Sequence, residues 1–322
     1  MRRKKNILIS AAGTASAFHL AEVVQQRFSK SFDLILCDTN PKHLVPSAAF
    51  THRFYTVPAA KDPAFRKTML DLFVREKTEI YIPLVDTDVY AFPCDDPELR
   101  ELGVLSTSPP AKSVDALRNK RLLAGWLRSH SLPAPQVFRR DELDKADPHK
   151  KYFVKPEEGF GSHGTSFMTT AEIMQLADSL NGGLVLQEAC LSPEITIEVY
   201  NAHGTVRAIS RERLEVKCGV CTKARLWIDR EFTMLAELLC QQLVMPVAFC
   251  FQVMKNPQQD WVITDVNPRI GAGTSLSSVC GWSLAVAALA EWGQLPENPL
   301  DFLQTFEGNR YAVRAFKDFR TQ

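Results

Sequence analysis

Val262-Ile263-Thr264-Asp265-Val266-Asn267-Pro268-Arg269 is a mostly apolar run into which polar side chains enter at every second position from Asp265 onward. On an extended chain residues two apart share a face, so Asp265, Asn267 and Arg269 are expected on one side of a strand end. Just upstream, Phe249-Cys250-Phe251-Gln252-Val253-Met254 is a second apolar run broken by one amide. Lys255-Asn256-Pro257-Gln258-Gln259-Asp260 between the two has turn composition, which predicts a hairpin of strands over 248–254 and 261–266. Asp265, Gln252 and Asn267 are hard oxygen donors of the kind Mg²⁺ takes, with one formal negative charge among them, so a bound phosphate would supply the remainder. The alternative for these residues is a hydrogen-bonded strand end.

About 110 residues earlier lies Phe153-Val154-Lys155-Pro156-Glu157-Glu158-Gly159-Phe160-Gly161-Ser162-His163-Gly164, a strand ending in lysine that opens into a loop with three glycines. Glycines let backbone N–H groups approach phosphate oxygens with no Cβ in the way, and lysine supplies a compact positive charge. A plain hairpin loop is the alternative, and no Gly-Lys-Ser/Thr triplet follows to make a P-loop. Leu184-Val185-Leu186-Gln187-Glu188-Ala189-Cys190 reads as a strand end able to offer backbone groups to an adenine edge, while Glu194 and Glu198 on the next strand can accept from ribose hydroxyls. Lys120, in Arg118-Asn119-Lys120-Arg121, falls early in a predicted helix. Taken singly, the glutamates and Lys120 fit a solvated surface.

Further toward the N-terminus, residues 6–10, 17–28 and 32–37 read as strand, helix and strand, and a right-handed crossover makes the two strands parallel neighbours in one sheet. The intervening loop carries one glycine, Gly13, so it is either a weak relative of the GxGxxG fingerprint or an ordinary turn. A helix over 63–76 and a strand over 80–85 continue the alternation, and Asp86 and Asp88 after it either contact a ligand or cap a helix. A short strand over 104–106 and Pro109-Pro110 close this region, setting a domain boundary near 110–113. Beyond it the spacing predicts a helix over 114–129, strands over 152–156, 165–168, 184–188 and 195–200, and a helix over 171–180. A helix over 230–243, the hairpin, a helix over 284–292 and a strand over 310–316 complete the α+β part.

Composition narrows the function classes. With 322 residues, 45% hydrophobic and 23% charged, the chain is long enough for about two domains with ordinary cores. Lys plus Arg at 38 nearly cancels Asp plus Glu at 37, so no global field attracts nucleic acid or an anionic membrane, and any anion site must be local. Eight cysteines are too few for a disulfide scaffold, and the single CxxC, Cys218 and Cys221, lacks the second pair a structural zinc site needs. Arg2, Arg3, Lys4 and Lys5 precede a stretch too polar for a secretory signal, and no run reaches the roughly 20 apolar residues of a membrane span. A cytoplasmic protein is expected.

The order Lys120, Lys155 with its glycine loop, Gln187-Glu188, Gln252 and Asp265-Val266-Asn267-Pro268-Arg269 closely resembles the ATP-grasp superfamily, nearest to short proteins similar to the large chain of carbamoyl phosphate synthase. The resemblance covers essentially the whole chain, since the β-α-β opening and Ile82-Pro83-Leu84-Val85-Asp86 look like the domain that precedes the grasp in that family. It implies a Rossmann-like α/β pre-ATP-grasp domain over 1–113, then a two-lobed α+β ATP-grasp domain over 114–322. The phosphate-flap lobe would span about 130–187 and the metal lobe about 190–322. By the same resemblance, Lys120 and Lys155 contact ATP phosphates under a flap that includes Gly159, Gly161, Ser162 and Gly164. Gln187, Glu188 and Cys190 line the hinge that meets adenine, and Glu194 takes the ribose. Gln252, Asp265 and Asn267 hold Mg²⁺ or Mn²⁺, and Arg269, with Lys155, serves the transferred phosphoryl group. The family usually has Glu where this chain has Asp265, and the shorter side chain reaches less easily to a second metal ion.

The implied reaction is the ligation of a carboxylate to an amine through an acyl phosphate, with amino-acid or peptide ligation as the expected type. The expected partners are those two small molecules, with a homodimer left open and neither nucleic acid nor membrane anticipated. Arg207, Arg211, Arg213, Lys217, Lys223 and Arg225 form a basic stretch in which Arg211 or Arg213 contacts the substrate carboxylate, or which is a solvated surface. A non-catalytic ATP-binding module is the alternative function. A dinucleotide-dependent dehydrogenase is disfavoured by the lone Gly13.

Overall fold

The structure, a computed structural model, describes residues 3–138, 142, 146–156, 165–176, 184–217, 219–315 and 317–319. The chain forms two compact units, one of residues 1–114, 197–250 and 267–322, the other of residues 115–196 and 251–266.

In the first unit the opening folds as predicted. Strands β1 (Lys5–Ile9), β2 (Phe32–Asp38), β3 (Phe54–Thr56), β4 (Ile80–Ile82) and β5 (Leu105–Ser106) form a parallel sheet in the order β3-β2-β1-β4-β5. Helices α1 (Ala15–Arg27), α2 (Phe65–Glu76), α3 (Asp86–Ala91) and α4 (Pro97–Leu102) connect them. The sheet is covered on both faces, which is why its strands read as continuous apolar runs rather than alternating ones. Ile7, Ile9, Leu34 and Leu36 pack in one core with Ala17, Leu20 and Val24 of α1. Leu8, Ile35 and Tyr81, on the opposite face, pack with Met69, Leu72 and Phe73 of α2. Each fully buried aliphatic or aromatic side chain contributes about 1.5–3 kcal/mol.

The turn between β1 and α1 is an ordinary one. Thr14 caps α1 by accepting from the Ala17 amide at 3.2 Å, and the Gly13 amide donates to Asp38 Oδ2 at 2.7 Å. The carboxylate at the end of β2 thus takes the backbone N–H that a dinucleotide phosphate would need.

In the second unit the predicted helix over 114–129 is two helices, α5 (Ala111–Leu117), which begins in the first unit, and α6 (Lys120–Ser129). Asn119 interrupts it, because its side chain accepts from the amides of Arg121 and Leu122 at 3.0 and 3.1 Å and so restarts the chain as an N-cap. Strands β6 (Val137–Phe138), β7 (Lys151–Pro156), β8 (Ser166–Thr169) and β9 (Leu184–Glu188) form an antiparallel sheet in the order β6-β9-β7-β8. Its core is Phe138, Ala146, Tyr152, Val154, Leu186 and Ile173, the last from α7 (Thr170–Leu176).

A third sheet runs in the order β14-β13-β10-β11-β12-β15, from strands β10 (Leu191–Ala202), β11 (Thr205–Lys217), β12 (Val220–Trp227), β13 (Ala248–Lys255), β14 (Trp261–Asn267) and β15 (Arg310–Val313). β11, β12 and β15 are antiparallel neighbours within the first unit, while β10, β13 and β14 each pass from one unit to the other. The hairpin of β13 and β14 forms where the two apolar runs predicted it. Helices α8 (Arg230–Gln242), α9 (Thr274–Val279) and α10 (Leu284–Gly293) belong to the first unit, and every residue of α10 except Glu291 is buried. The short helix α9 and the length of β11 and β12 were not anticipated, since serines and paired charges mask their periodicity.

Candidate functional site

In the second unit the site is built around Lys155. Its position near the end of β7 places it on the same sheet face as Phe153, whose register partner is Gln187 on β9. Lys155 Nζ donates to Gln187 Oε1 at 2.6 Å, and the two side chains belong to residues only 6% and 5% exposed. Burial pushes the Lys155 ammonium down to about 8; the charge of Asp265 opposes that shift and the charge of Lys120 adds to it. Residues from α6, β7, β9 and β14 therefore act on one buried cation. Lys120 is the first residue of α6, the end of a helix where a cation is electrostatically disfavoured. Two lysines repelling each other beside one carboxylate are a charge arrangement suited to a polyanion.

Around this centre, Gln187 Nε2 donates to Cys190 Sγ at 3.6 Å, and the thiol donates to the Glu188 carbonyl at 3.7 Å. Burial, followed by the Glu188 charge, pushes Cys190 up to about 11, so it is a thiol and not a nucleophile at neutral pH. Glu188 is committed to backbone pairing, its amide donating to the Gln136 carbonyl at 2.9 Å and its Oε1 accepting from the Gln136 amide at 2.8 Å. Glu194 is half-buried on β10, and Gln252 is half-buried on β13, where its carbonyl accepts from Thr264 Oγ1 at 3.3 Å. The glycine-loop residues Gly159, Gly161, Ser162 and Gly164 lie outside the described residues.

Within the first unit, Arg269 is held from two sides. Its Nη2 donates to Asn267 Oδ1 at 3.0 Å, and its Nε donates to Asp86 Oδ1 at 2.7 Å. Asp86 opens α3, and that ion pair is a role neither ligand contact nor helix capping had anticipated. The signal was an acidic residue at the carboxyl end of a parallel strand, a place where such sheets gather functional groups. Asp88 turns inward instead, accepting from Ser10 Oγ at 2.6 Å, and burial raises its carboxyl to about 6.

The basic stretch separates into two kinds of residue. Arg225 pairs with Glu212 at 2.7 Å, and Lys217 and Lys223 pair with Glu215 at 3.4 and 2.9 Å, a half-exposed lattice across β11 and β12 worth about 0–1 kcal/mol per pair. Arg213 donates to the Gly219 carbonyl at 3.2 Å. Arg211 is different, since it is 3% exposed and its Nε donates at 3.0 Å to Glu198 Oε1, a residue with no exposed surface. A Cβ added to Gly273 would overlap the Arg211 guanidinium. Gly273→Ala is therefore expected to displace Arg211 from Glu198 and destabilise the fold by about 3–5 kcal/mol, the cost of breaking a buried pair, measured as a lower urea midpoint.

Asp265 and Asn267 lie at the end of β14, and Arg269 follows two residues later. The model of the ATP-grasp domain matches residues 117–273, so this span is an ATP-grasp domain. Among solved structures, the chain is similar to N5-carboxyaminoimidazole synthetase from Staphylococcus aureus complexed with ADP. They are 13% identical over 93% of this chain and 80% of that one, with a TM-score of 0.72. It is also similar to L-amino acid ligase from Bacillus licheniformis, at 15% identity over 94% and 77% of the two chains, with a TM-score of 0.68. A third similar structure is the biotin carboxylase domain of Hydrogenobacter thermophilus 2-oxoglutarate carboxylase, in complex with MgADP, ADP and bicarbonate. There the identity is 12% over 98% and 75%, with a TM-score of 0.73. A sequence search of curated proteins gave no match. No helix among the described residues is long and apolar enough to cross a membrane.

Proposed function

We propose that the protein is an ATP-dependent ligase that joins a carboxylate to an amine, of amino-acid or peptide type, and releases ADP and phosphate. The observation that carries this reading is the convergence of Lys120, Gln187 and Asp265 on Lys155 inside a matched ATP-grasp domain. Similarity to structures holding ADP or MgADP supports the nucleotide, and similarity to an amino-acid ligase supports the reaction type.

In this reading Lys120 and Lys155 neutralise the ATP phosphates, and the residues about Glu188 and Cys190 receive the adenine. Asp265, with the amide oxygens of Asn267 and Gln252, fits Mg²⁺ or Mn²⁺ by donor chemistry, and Asn267 Oδ1 accepts from Arg269 at 3.0 Å. The metal would neutralise phosphate charge. A substrate carboxylate oxygen attacks the γ-phosphorus as the bond to ADP breaks, giving an acyl phosphate. The amine then attacks the acyl carbon, phosphate leaves, and the amine loses a proton. The protein's part is to position and to neutralise charge, with Arg269 facing the phosphoryl oxygens.

The test is mass-spectrometric analysis of nucleotide products after incubation with Mg-ATP and pools of amino acids and carboxylic acids. ADP and phosphate formed with one pool only is the expected result. AMP would overturn the acyl-phosphate route, and ATP binding with no turnover in any pool would make the protein a binding module.

A further inference from the structure

At the carboxyl end of the parallel sheet, three side chains that the proposed reaction does not use form one hydrogen-bonded chain. Tyr81 on β4 donates to Ser10 Oγ at 3.1 Å, and Ser10, just past β1, donates to Asp88 Oδ2 at 2.6 Å. Tyr81 has no exposed surface, and Ser10 and Asp88 are 1% and 7% exposed. Because the Ser10 oxygen receives the Tyr81 hydrogen, its own hydrogen goes to the carboxylate, and 2.6 Å is the length of a charge-assisted bond. Ser10 is fixed in turn to the neighbouring strand, its amide donating to the Ile82 carbonyl at 3.1 Å. Thr87 Oγ1, 3.5 Å from Asp88 Oδ1, adds little.

Asp88 stands in the first turn of α3, two residues from Asp86. Successive helical residues turn by about 100°, so the two carboxylates leave the helix on nearly opposite sides. Asp88 points to the sheet, and Asp86 points to Arg269, with which it pairs at 2.7 Å. α3 has six residues, and Val85 at its N-cap makes no side-chain hydrogen bond. A helix that short does not hold itself, and the Ser10–Asp88 bond ties its first turn to the end of β1. The titratable groups around Asp88 are Cys37 and Asp38 of β2, Tyr81 of β4 and Asp86 of α3, and the rings of Phe73 and Phe92 lie 5.0 and 5.7 Å from that of Tyr81. Burial raises the Asp88 carboxyl to about 6, with the Ser10 hydrogen bond opposing and the charges of Asp38 and Asp86 adding. An asparagine would accept from Ser10 without that cost, so what the carboxylate adds is a stronger bond and a stiffer α3.

We propose that Asp88 is a positioning residue for Arg269: tied to β1 through Ser10, it holds the first turn of α3 so that Asp86 meets the guanidinium in one orientation. The hold is tightest with Asp88 ionised, when the bond from Ser10 is charge-assisted. This rests on the ligase reading only for what Arg269 faces.

The deciding test needs no substrate. In full-length protein labelled with ¹⁵N-arginine, the Nε–H signal of Arg269, assigned by its loss in Arg269→Lys, is followed by NMR as the pH is raised through the Asp88 value. The signal is expected to move with a midpoint near pH 6, and to stay in place over that range in Asp88→Asn and in Asp86→Ala. Stability should change in the opposite sense to activity. The folded value of about 6 lies above the ordinary 3.8, so the charge destabilises the fold progressively as pH rises between them and fully above 6. Asp88→Asn is therefore expected to raise the Tm by about 2–4 °C at pH 8, a gain that shrinks as pH falls toward 3.8. In a pool that supports turnover, the same variant is expected to lower kcat about fivefold with ATP affinity unchanged, a split that a merely structural carboxylate would not give. Should no pool support turnover, the ligase reading fails and the arginine signal still decides this proposal. An Arg269 signal that does not move near pH 6, one that still moves in Asp88→Asn or Asp86→Ala, or a lower Tm for Asp88→Asn at pH 8 would each overturn it.

Discussion

Lys155→Met is expected to give a protein that is at least as stable as the original without nucleotide and that binds ATP a hundredfold or more less tightly. Burial pushes the Lys155 ammonium down to about 8, and at 1.36 kcal/mol per pH unit its charge costs the fold about 3 kcal/mol at neutral pH. Methionine fills similar space without the charge, and the offset is Gln187, whose Oε1 loses its donor at about 1–3 kcal/mol. The sign follows from proton counting. Between pH 8 and the unfolded value of 10.5 the unfolded chain holds a proton the folded one has released, so the original protein gains stability with rising pH there. The advantage of the variant is thus full below pH 8 and gone by about 10.5. ATP restores the charge by supplying phosphate oxygens, so its affinity for the original protein should fall toward tenfold per pH unit above 8 and be flat across that range in the variant. A Lys155→Arg protein should behave like the methionine variant toward ATP, because the buried position beside Gln187 fits a compact ammonium and not a planar fork. Calorimetric titration with ATP from pH 6 to pH 9.5 reads both effects, and unchanged affinity in Lys155→Met would remove Lys155 from the site.

The same lysine shows how far sequence reading carries. Lys155, Gln187 and Asp265 could be found because each interrupts a strand-like apolar run, where a polar residue needs a reason to be, and Asp265 and Asn267 share the two-residue period of an extended chain. The parallel sheet was legible for a related reason, since β1 and β2 are buried on both faces and read as unbroken apolar stretches. What stayed hidden depends on contacts far apart in the chain. Arg211 sits among six basic residues of β11 and β12 with nothing local to mark it as the one facing Glu198. Asn119 looked like one polar residue on a helix face, and only its accepted amide hydrogens reveal that it ends one helix and starts another. Asp86 was seen, but its partner lies 183 residues away.

Replacing Asp86 by alanine is expected to lower turnover about a hundredfold while leaving ATP affinity nearly unchanged. Arg269 donates to the amide oxygen of Asn267 at 3.0 Å, to the Asp86 carboxylate at 2.7 Å and to the Ile270 carbonyl at 3.5 Å, and of these acceptors only the carboxylate carries charge. Asn267 follows Asp265 on β14, so with Asp86 gone the guanidinium keeps its hydrogen bond to Asn267 but loses the charged group that orients it toward the phosphoryl group of the proposed reaction. A displacement of about 1 Å in a charge aimed at a transferring group is enough for a loss of that size. Asp86→Asn keeps an acceptor of the same shape and should recover about half of the lost activation free energy, a roughly tenfold decrease instead of a hundredfold one. Arg269→Lys should be as damaging as Arg269→Ala, because an ammonium cannot span both side-chain acceptors. The pair is 17% and 13% exposed, so each alanine variant should also lose about 1–3 kcal/mol of stability, less than a fully enclosed pair would. The decisive comparison is the double variant. If Asp86 acts only by holding Arg269, removing it from a protein that already has alanine at 269 changes turnover no further, and the two losses are strongly non-additive. Losses that simply add would place Asp86's effect elsewhere on α3, where Asp88 accepts from Ser10, and would sever it from the arginine.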